Sequence, residues 1–195
     1  MQISTVDFVL GAASIKQVPN NGIAHIAFLG RSNSGKSTLL NALFGKNIVK
    51  TSKMPGKTRE INFFLVNDTF YFVDLPGVGY AKVSASMRDD MANRIRKYVE
   101  KANDLKGIVY LVDIRHGGHK IDFETINGIK KSNVPVLIVA SKADKLNQSE
   151  FIAAKRKIKE NFELPDFPIS ISSKTKKGLA ELWKEIDSIL GVPNA

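Results

Sequence analysis

Gly30-Arg31-Ser32-Asn33-Ser34-Gly35-Lys36-Ser37 stands between an apolar, strand-like stretch, Ile23 to Leu29, and a segment with Leu39, Leu40 and Leu43 at helical spacing. A glycine-bounded loop in that setting exposes successive backbone N–H groups, and the helix after it adds its positive N-terminal end. The loop is therefore built to hold phosphate. Lys36 brings a mobile positive charge for the β- and γ-phosphates, and Ser37 an oxygen ligand for magnesium. Taken alone, the eight residues also suit a plain glycine turn between a strand and a helix.

Apolar runs alternate with helical patterns over nearly all of the 195 residues, without repeats, low-complexity segments or linkers. Alternation of this kind builds a sheet with helices on both faces. The strand-like runs are Ala24 to Leu29, Ile61 to Val66, Phe70 to Asp74, Gly107 to Asp113, Val134 to Ser141 and Phe167 to Ser172. Only Asn67-Asp68-Thr69 separates the second from the third, too few residues for a crossover helix, so these two pair antiparallel. The expected architecture is a P-loop NTPase three-layer α/β sandwich: a mixed, mostly parallel six-stranded sheet with one antiparallel hairpin strand. Leu179, Leu182, Trp183, Ile186, Ile189 and Leu190 form one stripe of a closing amphipathic helix, which makes Trp183 a core residue rather than a base-stacking platform. Residues 45–60, basic and broken by Pro55-Gly56, read as a mobile loop. Residues 23–192 read as a single nucleotide-binding domain. Residues 1–22 carry Phe8, Val9, Leu10 and Ile15 but no assignable motif; they either pack on the sheet edge or order only on a partner.

Twenty-nine Lys and Arg against nineteen Asp and Glu leave a formal charge of +10, more than a nucleotide site needs. A polyanionic partner would account for the excess, with an inert basic surface as the alternative. RNA, or a particle that contains it, is favoured over a membrane, because no amphipathic segment joins a broad apolar face to a lysine-rich one. The basic elements are the 45–60 loop, Arg94-Ile95-Arg96-Lys97, Lys155 to Lys159 and Lys174 to Lys177. The chain has no cysteine, hence no disulfide framework and no thiolate metal site. No apolar run approaches bilayer length, and Met1-Gln2-Ile3-Ser4 lacks the start of a secretory signal, so the chain reads as cytoplasmic.

A triphosphate site needs a second carboxylate at the end of a neighbouring strand, and Asp74 ends Phe70-Tyr71-Phe72-Val73. Leu75-Pro76-Gly77 completes Asp-x-x-Gly, where the Gly77 N–H can approach the γ-phosphate unobstructed. Base identity rests on Ser141-Lys142-Ala143-Asp144: an aspartate accepts from guanine N1–H and the 2-amino group, neither of which adenine offers. The wrong base leaves a carboxylate unpaired, which discriminates by about 10⁴ or more. The aliphatic stem of Lys142 would lie along the base, and Ser172-Ser173-Lys174 can present N–H groups to guanine O6. His25 lies within a strand; His116 and His119 lie in a glycine-containing loop and read as solvated.

Gly-x₄-Gly-Lys-Ser, a loop threonine, Asp-x-x-Gly, Lys-x-Asp and Ser-x-Lys, in this order over residues 23–190, resemble the G1 to G5 boxes of a translation-factor-class GTPase. More narrowly, Gly30 to Asn41, Pro55-Gly56-Lys57-Thr58-Arg59, Asp74-Leu75-Pro76-Gly77-Val78-Gly79-Tyr80-Ala81 and Asp113-Ile114-Arg115-His116 resemble the EngB (YihA/YsxC) family within the TrmE-Era-EngA-like GTPases. That resemblance implies a GTP- and GDP-binding switch in assembly of the large (50S) ribosomal subunit, touching rRNA and ribosomal proteins, monomeric, without DNA or membrane as partner, and tied to cell division and septation. A GTP-dependent adaptor for a protein or stress-signalling partner, with hydrolysis as a timer, is the alternative. It also implies that Thr58 senses the γ-phosphate and joins Ser37 and Asp74 on magnesium, and that Thr38, Pro55, Gly56, Lys57, Leu75, Pro76 and Ile171 belong to the nucleotide pocket. Lys36, Thr58, Gly77 and Asn33 would carry catalysis. The position of Asn33 matches the potassium ligand of related GTPases, although an asparagine that only stabilises the turn is equally consistent. Ser141 departs from the threonine common in the family but keeps the hydroxyl. Val78 stands where Ras-like enzymes place a water-orienting glutamine, so intrinsic turnover should be slow and stimulated by a partner or ion. Arg31 fits switch packing better than catalysis.

Overall fold

A computed structural model describes residues 3–49, 60–79 and 84–192. In chain order the elements are β1 (Val6–Ala12), β2 (Ala24–Gly30), α1 (Lys36–Phe44), β3 (Ile61–Val66), β4 (Phe70–Asp74), α2 (Ala85–Lys101), β5 (Leu105–Asp113), α3 (Lys120–Lys130), β6 (Val136–Ser141), α4 (Gln148–Asn161), β7 (Ile169–Ser170) and α5 (Leu179–Leu190). One sheet orders them β1-β3-β4-β2-β5-β6-β7. Pairing is antiparallel on both sides of β3 and parallel elsewhere, so β3 alone runs against the other strands.

Period-two alternation along each strand sends side chains to opposite faces. Ile26 and Phe28 of β2 join Phe72, Val109 and Leu111 under Leu39, Leu40 and Leu43 of α1 and Leu182 and Ile186 of α5. Ala27 and Leu29 face the other way, with Tyr110 and Val112, toward Ile95 and Tyr98 of α2, Ile126 and Ile129 of α3 and Ile158 of α4. The result is the expected three-layer sandwich. Trp183 stacks on Phe72, ring centroids 5.5 Å apart, and so belongs to the core.

The strand count differs from the six expected: β1 is a seventh strand. It pairs with β3 along the outer edge with a register break between Phe8 and Leu10, leaving Phe8 56% and Val9 43% exposed. A bulged edge strand loses clean alternation, because its outer face is open and its pairing is tertiary. Asn67, in the turn after β3, accepts hydrogen bonds from the Ser4 and Thr5 amides at 2.8 and 3.2 Å, fixing the approach to β1. The predicted strand at Phe167 to Ser172 shrinks to Ile169–Ser170. Among the described residues, no helix is long and apolar enough to cross a membrane.

His25, in β2, is fully buried between Phe63, Tyr71 and Tyr98 and shares a 3.2 Å hydrogen bond between Nδ1 and the Tyr98 hydroxyl. Burial lowers its pKa from 6.5 to about 4, outweighing the opposing pull of Asp104; Lys106 adds to the lowering. The unfolded chain therefore takes up a proton between pH 6.5 and 4 that the folded chain refuses, and acidification through that window favours unfolding. His25→Phe should flatten the loss of Tm between pH 6.5 and 4 while leaving the trend above pH 7 unchanged, measured by thermal melts across the range.

Candidate functional site

The parallel strands end along one edge of the sheet, and the motif residues sit at those ends. β2 ends at Gly30, β4 at Asp74, β5 at Asp113 and β6 at Ser141, and Ile171 follows β7. Crevices at strand C-termini beside a reversal of strand order are where such sheets bind ligands. Gly30 is required by proximity: a Cβ there would lie 2.6 Å from the Leu111 carbonyl oxygen of β5. Gly35, with φ +97°, supplies the left-handed turn into α1.

Lys36, nearly buried at the first turn of α1, donates to Oδ1 of fully buried Asp74. Asp74 Oδ2 and the Ser34 hydroxyl are also buried and have no partner among the described residues. Ser37 is half-buried and Thr38 exposed on the same turn. The Asp-x-x-Gly segment is laced to the phosphate loop by main-chain bonds, with Val78 N–H donating to Gly30 O at 3.1 Å and Ser32 N–H to Val78 O at 3.0 Å. Arg31 and Val78 form a parallel backbone bridge there. Leu75, Pro76 and Gly77 are buried beneath this seam.

The base side is tied to the same loop. Ser141 Oγ donates to Ser34 O at 2.6 Å, so the serine found in place of threonine still braces the phosphate loop. Lys142, at φ +62°, extends its ammonium to Asn33 O at 2.6 Å and Asp113 Oδ2 at 2.8 Å. Burial alone would raise the Asp113 pKa, but hydrogen bonds from Arg115 and Lys142 hold it well below the usual carboxylate range. Asp113 is thus an anchor for Lys142, a role that sequence reasoning missed; an acid at the end of an apolar strand was the available signal. The Asp144 carboxylate accepts from Ser172 Oγ at 2.7 Å, which lowers its pKa and keeps it an ionised acceptor. Ala143 N–H donates to Ile171 O at 3.0 Å, joining the two base loops by their backbones.

One expectation needs correction. Ser172 N–H already donates to Lys177 O at 3.0 Å, because the 172–177 loop folds back on itself, so only the Ser173 and Lys174 amides are left for guanine O6. A cleft of about 430 Å³ is lined by Thr38 and Asn41 of α1 and by Ser173 and Lys176 of that loop. Asn33 is exposed at φ +65°, a left-handed conformation that asparagine tolerates well. Pro55, Gly56, Lys57 and Thr58, with Tyr80 and Ala81, lie outside the described residues.

A family described as "50S ribosome-binding GTPase" matches residues 25–142, from β2 to the end of β6 and the residue after it. A "probable GTP-binding protein EngB" of Caldanaerobacter subterraneus is 42% identical over 192 residues, covering 97% of this chain and 99% of that one. The chain belongs to the EngB family. A crystal structure of a probable GTP-binding protein EngB superimposes with a TM-score of 0.73 at 26% identity, covering 87% of this chain and all of that one. Era, solved with MgGDPNP and a segment of 16S ribosomal RNA, gives 0.70 at 27% identity, over 89% of this chain and 58% of Era. As an EngB-family member the chain is a GTPase, and the glycine loop, Asp74 and Asp144 lie along one edge of its sheet.

Asp144→Asn replaces a double acceptor by a group that meets guanine N1–H with at most one. Guanine-nucleotide affinity should fall by roughly 30- to 100-fold, with xanthine nucleotides gaining in proportion, in titration calorimetry on nucleotide-free protein. An unchanged guanine preference would remove Asp144 from the base pocket.

Proposed function

We propose that this chain is a GTP-controlled switch in assembly of the large ribosomal subunit, with slow intrinsic hydrolysis. Residues 23–192 act as one nucleotide-binding unit, with residues 1–22 attached to it. The observation that carries the reading is the buried Asp74 carboxylate, one oxygen held by Lys36 and the other without a partner among the described residues. A bare buried carboxylate oxygen is costly unless a cation uses it. The described residues therefore fit magnesium, which Ser37 and Asp74 would hold; Thr58, outside the described residues, is the third protein ligand that the family resemblance implies. When bound, the ion offsets negative charge on the β- and γ-phosphate oxygens.

The side chains then divide the work. Lys36 would exchange Asp74 for the β- and γ-phosphates. The amides of Asn33 and of Gly35 to Thr38, with the Ser34 hydroxyl, receive phosphate oxygens, the Ser32 and Ser34 amides being held by Val78 O and Arg31 O. Gly77 brings its N–H to the γ-phosphate, and the family resemblance adds Thr58, with Pro55, Gly56 and Lys57, to the residues that contact it. Asp144 reads guanine, with Lys142 and Ser173 flanking the base. Val78, fixed to Gly30 and Ser32 through its backbone, carries no group that could orient water, which is why turnover is slow. A potassium ion on the Asn33 side chain would neutralise charge that develops on the transferred phosphoryl group.

The family description and the +10 charge support a ribosomal partner; a monomeric protein of the cytoplasm is part of the same reading. With a non-hydrolysable GTP analogue the protein should co-sediment with large-subunit particles, more weakly with GDP, and more weakly still as salt rises. Association indifferent to both nucleotide and salt would remove the switch reading. Separately, steady-state GTP hydrolysis should rise in potassium over sodium buffer and lose that rise in Asn33→Ala; equal rates in both salts would discard the potassium ligand.

A further inference from the structure

Lys155 and Lys159 of α4 and Lys177 of the 172–177 loop, from basic runs separate in sequence, converge around two phenylalanines. Lys155 Nζ lies 5.1 Å from the Phe167 ring centroid and 5.7 Å from that of Phe151. Lys159 Nζ is 5.3 Å from Phe167, and Lys177 Nζ, arriving from the 172–177 loop, is 5.8 Å from Phe151. All four approaches fall within cation–π range. Phe167 is nevertheless 54% exposed, and Ile152 beside Phe151 in α4 is 49% exposed. Lys155, Lys159 and Lys177 form no ion pair among the described residues, although Glu160, Glu163 and Asp166 lie nearby in sequence. Held by ring faces rather than by carboxylates, these ammonium groups keep their charge for an incoming anion.

We propose that this face of α4, with Phe167 and the 172–177 loop, docks an unpaired RNA segment. The identity of that RNA as ribosomal rests on the reading given above; the chemistry of the surface does not. An exposed ring among unpaired cations matches a strand that alternates a flat base with a phosphate, since the base stacks while the lysines neutralise the backbone. An acidic peptide offers the charges without a plane to stack. An anionic bilayer needs a broader apolar face than Phe167 and Ile152 provide. Duplex RNA buries its bases and would leave Phe167 unused.

The surface adjoins the guanine side of the nucleotide site. Lys177 is set by the hydrogen bond from Ser172 N–H to its carbonyl, and Ser172 Oγ holds Asp144. The Asp74 to Gly79 turn contributes nothing to it. RNA held here therefore registers a filled base pocket, equally with GDP and with GTP, and differs in that respect from docking through the γ-phosphate-sensing segments.

Fluorescence anisotropy on the full chain tests this, with a labelled oligouridylate of about ten nucleotides, a length within the usual single-strand site sizes. The single strand should bind better than a duplex of equal length, and equally with GDP and a GTP analogue. Phe167→Ala should weaken it by about 5- to 150-fold while Phe167→Tyr retains it. Lys155→Gln with Lys159→Gln should reduce the log–log salt slope by about 1.4. Guanine-nucleotide affinity and thermal melts should be unaltered in these variants. Equal binding of duplex, no loss in Phe167→Ala, no binding by the unmodified protein, or retention by phosphatidylserine vesicles in preference to RNA would each overturn the proposal. Loss of co-sedimentation with large-subunit particles while oligonucleotide binding persists would instead overturn the ribosomal reading alone.

Discussion

The buried contact between Lys36 and Asp74 is the constraint around which the nucleotide edge is arranged. Two opposite charges held out of water attract strongly, yet desolvation removes most of that gain, so such a pair is poor evidence of stability for its own sake. Here it fixes the end of β4 against the first turn of α1. The parallel register that sets Asp74 opposite Phe28 of β2 brings the carboxylate to the base of the phosphate loop. With Asp74 Oδ2 and the Ser34 hydroxyl also buried without partners among the described residues, the unspent polar capacity points to one place. In the function proposed above, a triphosphate with its metal would supply both the anion for Lys36 and the cation for Asp74.

Base and phosphate recognition are joined mechanically as well as by proximity. Pairing of β5 with β6 puts Asp113 beside Ser141, so the next residue, Lys142, has an acid within reach and turns back over the loop. Ser141 and Lys142 thereby hold two successive carbonyls of the phosphate loop, those of Ser34 and Asn33. Displacing either strand end would disturb a loop whose amide directions decide how phosphate is bound. Selectivity for guanine and the geometry of the phosphates thus share one set of supports.

Much of this was legible in the chain. The runs Ile61 to Val66 and Phe70 to Asp74 became strands with those same ends, because short, strongly apolar segments bounded by a tight turn leave little choice. The glycine loop and the order of Asp74, Asp144 and Ser172 located the candidate site for the same reason: each stands directly after a buried strand. β1 was illegible, since Phe8 and Val9 point to solvent around a bulge and its partner β3 follows some fifty residues later. For Asp113 the chain offered only an acid at the end of an apolar strand; its hold on Lys142 depends on β5–β6 register, which no local pattern gives. The use of Ser172 N–H within its own loop is a matter of turn geometry that composition does not encode.

The distribution of charge completes the picture. Arg31 and Val78 tie the phosphate-sensing turn to one side of the loop, whereas Lys177 and Asp144 belong to the loop pair on the other. In the function proposed above, a cation near the first group would feel the γ-phosphate and one near the second only the base. An excess of ten positive charges spread over both would let a polyanion be met first by the base-side surface and then discriminated by the phosphate side. Encounter and commitment would then rest on different residues, which lets the first be fast and weakly selective while the second carries the nucleotide dependence.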